Sequence, residues 1–221
     1  MRGDIAERAA RQLVDTASAL RLQLRRKPRP VRQYPQRHVT AVLRVPAVTA
    51  EAIAERVEAV RGRWPDLRWY PTATLHVTVL NLNAAGRDGV GLVEAVRSAA
   101  RAVGPLTVRY DRFGLSPDSG LLWVATTSDI TTLRDALRQH AGVPHRRGPA
   151  GAAFRAIAFT NVVRFDAPPH PHILRAWRHL PAMATVDVLP SIDLVATDRY
   201  LSEDATELIA RVRFSSGDVE R

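Results

Sequence analysis

Alternation of apolar and polar residues is clearest in the segment TATLHVTVLNL, which spans residues 72–82. Successive side chains of a strand point to opposite faces, so this segment predicts a half-buried strand. Its two predicted faces comprise Leu75, Val77 and Val79 on one side and His76, Thr78 and Leu80 on the other. A strand that only completes a hydrophobic core does not need a histidine and a threonine on one face. His76 and Thr78 are therefore the first candidates for a functional site.

The rest of the chain predicts helices and strands in a mixed order. Apolar residues at helical spacing predict helices over residues 4–24, 49–64, 92–104, 129–142 and 173–180. We expect Thr49 to cap the second of these helices. Apolar and β-branched runs predict strands over residues 37–46, 67–82, 106–115, 121–127, 154–165, 184–201 and 207–214. This order is typical of the α+β class, here with two similar halves that each place strands around a helix.

The first 37 residues differ from the remainder. The apolar residues of their helix are predicted to be Ile5, Leu13, Ala17 and Leu20, and three prolines follow between residues 28 and 35. We therefore interpret residues 1–37 as an appended helix and a basic proline-rich linker, and residues 38–221 as the main domain. The main domain is expected to fold without residues 1–37. If the helix instead packs on the domain, we expect Ile5, Leu13, Val14 and Leu20 to be buried.

The net charge of +10 is concentrated near the N-terminus. Residues 1–37 contain ten basic and three acidic residues, whereas the other 184 residues contain 22 and 19. Residues 25–37 alone carry six positive charges and no acidic residue. Such a segment is suited to phosphate groups or to an acidic partner, but it is also typical of a solvated linker.

Composition excludes several other classes of protein. The chain has no cysteine, so disulfides and thiolate metal sites are excluded. Its apolar runs are shorter than the ~18 residues of a membrane span, and its first 20 residues lack the apolar core of a secretory signal. We therefore expect a cytoplasmic protein with no membrane partner.

The order of these segments resembles that of the two-histidine phosphoesterase superfamily, which includes 2′-5′ RNA ligase-like proteins and cyclic phosphodiesterases. The segments RWYPTATLHVTVLNL and FGLSPDSGLLWV carry the resemblance, which covers residues 37–165 and extends more loosely to residue 214. The resemblance implies two lobes, each an antiparallel sheet with outer helices, and a cleft between them. It also implies one His-x-Thr/Ser motif from each lobe, with both histidines facing a phosphate. No metal or other cofactor is implied.

His76-Val77-Thr78 is the first of these motifs. In a strand, these two side chains stand about 7 Å apart on one face. An imidazole titrates near neutral pH, so a pair of histidines can exchange the roles of acid and base. The resemblance implies that His76 acts as acid or base and that Thr78 holds a phosphate oxygen.

The second motif departs from the family pattern. In AFTNVVRF, Phe159 stands at the histidine position, Asn161 at the hydroxyl position, and Arg164 at the position of a frequent arginine. A phenylalanine cannot transfer a proton, but Asn161 can still donate a hydrogen bond to phosphate. Phe159 is a candidate stacking surface for a base, with core packing as the simpler interpretation. We expect His76, Thr78, Asn161 and Arg164 to line one pocket.

Two other histidines are candidates for the missing group. His145 lies in a loop beside Arg146 and Arg147, a cluster suited to an anion. His38 begins the first predicted strand of the main domain and is a candidate for the mouth of the cleft. For each of them, a solvated surface position is the competing interpretation.

Three hypotheses remain open at this point. In the first, the protein binds nucleotide or RNA ends with a 2′,3′-cyclic phosphate or 2′-5′ linkage, and any hydrolysis by the single motif is slow. In the second, it is a non-catalytic nucleotide- or RNA-binding module with a basic N-terminal arm. In the third, His145 restores catalysis.

Overall fold

The computed structural model describes residues 2–24, 37–83, 85, 89–126, 130–144, 157–198 and 205–220. The helices in these ranges are α1 Arg2–Leu24, α2 Ala47–Arg63, α3 Gly89–Arg101, α4 Ile130–Ala141 and α5 Pro171–Arg178. The strands are β1 His38–Arg44, β2 Arg68–Trp69, β3 His76–Asn81, β4 Leu106–Ser116, β5 Ser119–Thr126, β6 Ala158–Arg164, β7 Thr185–Leu189, β8 Ser191–Thr197, β9 Glu207–Arg213 and β10 Val219–Glu220. Residues 25–36 and His145 lie outside the described residues.

The strands form one antiparallel sheet in the order β10-β9-β8-β1-β3-β6-β5-β4-β7, with β2 beside β6. Strands β3 and β6 meet through one residue pair, Val77 opposite Thr160. This junction divides the sheet into a first lobe (β1, β3, β8, β9, β10) and a second lobe (β2, β4, β5, β6, β7). The predicted α+β class is confirmed. The lobes do not coincide with the two halves of the sequence, because the C-terminal strands β8–β10 join β1.

Helices α2 to α5 cover the same face of both lobes, which we call the outer face. Helix α3 packs on β8 and β9 and α4 on β3, whereas α5 packs on β4 and contacts α2. Val77 and Thr160 are fully buried and belong to this face. The opposite or inner face carries two small apolar clusters separate from the main core: Val42 with Val195 in the first lobe, and Leu121, Trp123 and Ile157 in the second.

The side chain of Arg134 on α4 joins the two lobes. It donates hydrogen bonds to the carbonyl oxygens of Thr78 and Val79 on β3, at 3.0 and 3.1 Å. It also donates to the carbonyl oxygen of Ile157 next to β6, at 2.8 Å. Burial lowers the pKa of Arg134 to about 10, so the guanidinium is still charged at neutral pH. One side chain therefore satisfies backbone acceptors from both lobes where the strands no longer pair.

Helix α1 lies on the inner face of the second lobe. Asp15 accepts hydrogen bonds from the backbone N–H of Leu115 at 2.7 Å and from the indole of Trp123 at 3.1 Å. Arg11 donates to the carbonyl oxygen of Val124 at 2.8 Å, and its guanidinium lies 5.9 Å from the ring centre of Trp123. Ala10 and Val14 pack on the cluster that contains Trp123. The appended helix thus covers the inner face of β5.

Several local expectations were wrong. Leu13 and Leu20 are exposed, at 71% and 57%, and α1 instead buries Arg11, Ser18, Ala19 and Leu22. Pro46 precedes α2, and the Thr49 hydroxyl donates to Asp187 on β7 at 2.7 Å rather than capping the helix. A bulge in β3 places Leu80 opposite the core residue Ala41, so Leu80 leaves the face of His76 and Thr78.

The docking of α1 predicts the effect of deleting residues 1–36. We expect the shortened chain to fold, as judged by circular dichroism, with a melting temperature lower by about 5 °C or more. The physical reason is that Leu121 and Trp123, both fully buried, would face water.

The matched control is Leu13→Ser with Leu20→Ser, which alters exposed positions of the same helix and should leave the melting temperature unchanged. An unchanged melting temperature after deletion would contradict the docking of α1.

Candidate functional site

The pairing of Val77 with Thr160 places four candidate residues around one point of the inner face. Directly opposed residues of an antiparallel pair share a face, and their neighbours on each strand point to the other face. His76 and Thr78 flank Val77, and Phe159 and Asn161 flank Thr160. This register brings His76 beside Asn161 and Thr78 beside Phe159. Their assignment to a functional site stays a prediction.

His76 is held by the turn that precedes β3. Its Nδ1 lies 2.9 Å from the carbonyl oxygen of Thr74, within the 3₁₀ turn Thr72–Thr74. Because a carbonyl only accepts, Nδ1–H is the donor, and the lone pair of the neutral ring is on Nε2. Burial lowers the pKa of His76 to about 4, with smaller contributions from the charges of Arg44 and His38. The ring is therefore a neutral base near pH 7.

Thr78 differs from its neighbours on β3 because its side chain is exposed. Its carbonyl oxygen is fixed by Arg134. The hydroxyl is thus presented to solvent from a strand whose backbone is anchored. It can donate to, or accept from, a ligand beside His76.

In the second lobe, Phe159 has a packing role. Phe159 meets Trp123 edge to face, with ring centres 5.7 Å apart, in the cluster that α1 covers. The aromatic pair and the docked helix give a physical reason for an apolar side chain at this position. Phe159 is half-buried, so part of its ring remains accessible.

Asn161 belongs to a network in the β4–β5 turn. Its Oδ1 accepts a hydrogen bond from Ser119 at 2.8 Å, which leaves the amide NH₂ as the group that can donate to a ligand. The Ser119 hydroxyl contacts the Ser116 hydroxyl, and Ser116 donates to Asp118 at 3.3 Å. The turn between β4 and β5 therefore orients Asn161.

Arg164 lies on the same face as Asn161 because of a second bulge, which sets Arg164 opposite Ser119 and Asn161 opposite Leu121. Its guanidinium forms an ion pair with Asp118 at 3.0 Å and donates to the Tyr70 hydroxyl at 3.2 Å. The positive charge expected to bind phosphate is thus balanced by a carboxylate.

The first lobe contains charged residues that sequence reasoning missed. Arg44 stands opposite His76 on β1, and Asp193 on β8 is 2% exposed. Asp193 accepts two hydrogen bonds from Arg211, at 2.8 and 2.9 Å, and a longer one from Arg44, at 3.4 Å. A charged residue inside each of the apolar runs AVLRVP and SIDLVAT was the signal for this cluster.

His38 is also on the inner face of β1, since it alternates with Arg44 along that strand. It is buried, and its Nδ1 has no hydrogen-bond partner among the described residues. Burial lowers the pKa of His38, and the charge of Asp198 raises it in part. His38 is therefore an imidazole on the inner face of the first lobe, six residues along β1 from Arg44.

The described residues contain no group of three or more His, Cys, Asp or Glu side chains that could hold a metal ion. Within the same ranges, no helix has the length and apolar character needed to cross a membrane.

The low pKa of His76 predicts how stability depends on pH. The unfolded chain binds this proton near pH 6.5 and the native protein only near pH 4, so stability should fall as pH falls between these values. Relative to His76→Gln, which cannot titrate there, the wild type should lose up to about 3 kcal/mol over this range. Urea unfolding of both proteins at several pH values measures the difference. A His76 imidazole that titrates near pH 6.5 by NMR would contradict the buried neutral base.

Comparison with known proteins identifies the fold. No protein-family model and no curated protein matches the sequence. Among solved structures, TT0787 of Thermus thermophilus aligns with a TM-score of 0.60 and 15% identity, over 80% of this chain and 98% of that one.

Two further structures agree with it. A phosphoesterase structure aligns with a TM-score of 0.53 and 16% identity, over 81% of this chain and 99% of that one. E. coli LigT in complex with ATP aligns with a TM-score of 0.51 and 16% identity, over 82% of this chain and 99% of that one. The fold that the resemblance implied is therefore confirmed.

Proposed function

We propose that this protein binds nucleotides or RNA ends that carry a 2′,3′-cyclic phosphate or a 2′-5′ linkage, on the inner face of the β3–β6 junction. One observation carries the proposal: Nδ1 of His76 is bound to Thr74, so Nε2 is the basic nitrogen of a ring placed beside Thr78 and Asn161. These three residues supply a proton acceptor, a hydroxyl and an amide donor, which suits a phosphate diester.

The ligand class has support from the structural neighbours. Structures of E. coli LigT have been solved with ATP, 3′-AMP, phosphate and NADP⁺. We extend nucleotide binding to this protein as part of the proposal. The half-buried ring of Phe159 would provide a stacking surface for a base at the edge of the site.

Hydrolysis would be slow, because only one of its two proton transfers has a catalytic group: the transfer from the attacking water. Nε2 of His76 can take a proton from water as the water oxygen attacks phosphorus. The bond from phosphorus to the leaving ribose oxygen then breaks, and that oxygen needs a proton. Phe159 cannot supply it, so the proton would come from solvent. The loss of one general acid or base commonly costs about 10²–10⁴-fold in rate.

A non-catalytic nucleotide- or RNA-binding module is the second candidate function. The observation that favours it is the packing of Phe159 with Trp123 beneath α1, which turns half of the family-type site into a docking surface for a helix. In this candidate, residues 25–37 would serve as a basic arm for RNA or an acidic partner. Catalytic rescue by His145 remains the third hypothesis.

Single-turnover hydrolysis of 2′,3′-cyclic AMP by excess protein distinguishes these candidates. We expect binding with slow or undetectable turnover by the wild type, and a rate higher by about 10²-fold or more for Phe159→His with Asn161→Thr, which restores a second acid–base group. His76→Ala should abolish turnover and weaken binding by no more than one charge-assisted hydrogen bond, about 1–3 kcal/mol. His179→Ala, at an exposed position of α5's C-terminal end, is the control.

The other outcomes separate the hypotheses. Binding without turnover, in both the wild type and the double variant, would favour the binding module. Loss of activity in His145→Ala, with no gain from the double variant, would favour catalysis by the loop. Failure of the wild type to bind any nucleotide phosphate would overturn the proposed function.

A further inference from the structure

The positive charge at the family's arginine position is neutralised in this protein. Arg164 is 13% exposed at its side chain and lies 3.0 Å from the Asp118 carboxylate, which is also largely buried. A phosphate bound there would have to compete with that carboxylate for the guanidinium. A ligand with one or two negative charges therefore needs a positive charge from another part of the inner face.

The first lobe supplies such a charge next to His76. Arg44 and His76 are directly opposed in the β1·β3 ladder, where opposed residues have Cβ atoms about 5 Å apart on one face. Val42, two residues before Arg44, pairs with Asp193, and Asp193 pairs with Arg211. The three charged side chains therefore share the inner face with His76.

Arg211 satisfies most of the hydrogen-bonding capacity of the Asp193 carboxylate. Its Nε and one Nη donate to the two carboxylate oxygens at 2.8 and 2.9 Å, which is the short bidentate geometry of a strong ion pair. The Nε of Arg44 is 3.4 Å from one of the same oxygens. Two guanidinium groups and one carboxylate leave a net charge of +1 in the cluster.

Arg44 also has an unused donor. Its Nη1 is buried and has no hydrogen-bond partner among the described residues, although the side chain as a whole is 25% exposed. A buried guanidinium N–H without an acceptor costs free energy, and a small movement of this partly exposed side chain toward an anionic ligand would remove that cost. This donor and the Nε2 side of His76 are on the same face of adjacent strands.

We propose that Arg44 binds the phosphate of the ligand beside His76 and Thr78, and that Asp193 and Arg211 are positioning residues for its guanidinium. The ligand class is a phosphate mono- or diester anion, so the inference rests on the proposed function and names the residue that recognises the phosphate. Asp118 balances the charge of Arg164, so Arg44 of the first lobe supplies the positive charge for the phosphate instead.

The same placement affects the protonation of His76. A guanidinium beside the ring disfavours imidazolium, in agreement with the contribution of Arg44 to the low pKa of His76. A bound phosphate would offset that positive charge, so the pKa of His76 should rise when ligand binds. Burial, with a smaller contribution from Arg44, thus keeps the free site in its basic form, and the ligand would in turn neutralise Arg44.

Calorimetric titration with 3′-AMP, inorganic phosphate and adenosine tests the assignment. Arg44→Met keeps the apolar stem and removes the charge, and we expect it to weaken binding of 3′-AMP and phosphate by about 10- to 100-fold, the size of a charge-assisted hydrogen bond. Adenosine lacks the phosphate, so its affinity should not change. Arg44→Lys keeps the charge and should lose less affinity for 3′-AMP and phosphate than Arg44→Met. Circular dichroism verifies that both variants fold.

Two further variants serve as comparisons. Arg213→Met removes an exposed arginine of β9 that pairs with Glu220, and it should leave 3′-AMP affinity unchanged. Arg164→Met should have a smaller effect than Arg44→Met. In the wild type, NMR should show a higher pKa for His76 with phosphate than without it, a readout that does not depend on the folding of any variant.

The failures of the two proposals are distinguishable. If Thr78→Val weakens 3′-AMP binding but Arg44→Met and Arg44→Lys do not, the assignment of Arg44 is wrong and the site stands. If Arg164→Met has the larger effect, the phosphate is bound by the second lobe. If the wild type binds neither 3′-AMP nor phosphate, the proposed function and this inference are both overturned.

Discussion

The candidate site depends on the contact between β3 and β6. One residue pair, Val77 opposite Thr160, sets the register of the two lobes, and the guanidinium of Arg134 holds the strands where the pairing stops. Without that side chain, three backbone carbonyls would lose this hydrogen-bond partner. Each buried group left unsatisfied would lower the stability by about 1–3 kcal/mol. Both lobes contribute candidate residues within one position of this pair, so the junction determines which side chains meet.

The two lobes use the inner face differently. The first lobe presents a buried neutral imidazole, an exposed hydroxyl and a guanidinium whose charge is only partly balanced. The second lobe presents Phe159 packed on Trp123 and an arginine paired with Asp118, and α1 covers its apolar cluster. An aromatic side chain at residue 159 and the docking of α1 are therefore consistent with each other, because Phe159 packs on Trp123 in the cluster that α1 covers.

Local pattern was sufficient to predict the fold class and most helices and strands, and the segments that carry the resemblance indicated the fold that the structural comparison shows. It also placed each of the two motifs within one strand, but the register between those strands came only from the structure. It did not predict the packing of α1 or the role of Thr49. The buried face of α1 includes Arg11, which donates to Val124 more than 100 residues away in the sequence, and helical periodicity alone selected Leu13 and Leu20 instead.

The cluster of Arg44, Asp193 and Arg211 could not be predicted for a related reason. Its members come from β1, β8 and β9, and only the strand order places them together. The bulges in β3 and β6 were equally hidden, because a bulge depends on the pairing of two strands rather than on the pattern of one. Leu80 and Arg164 each changed faces relative to simple alternation for this reason.

The central claim is that the ligand site lies on the inner face of the β3–β6 junction. A two-dimensional NMR titration of the isotopically labelled protein with 3′-AMP tests it most directly. The account predicts saturable shifts in the backbone amides of residues 76–78 and 159–161, together with the imidazole resonances of His76. Saturable binding that leaves all of these resonances unchanged would contradict the account.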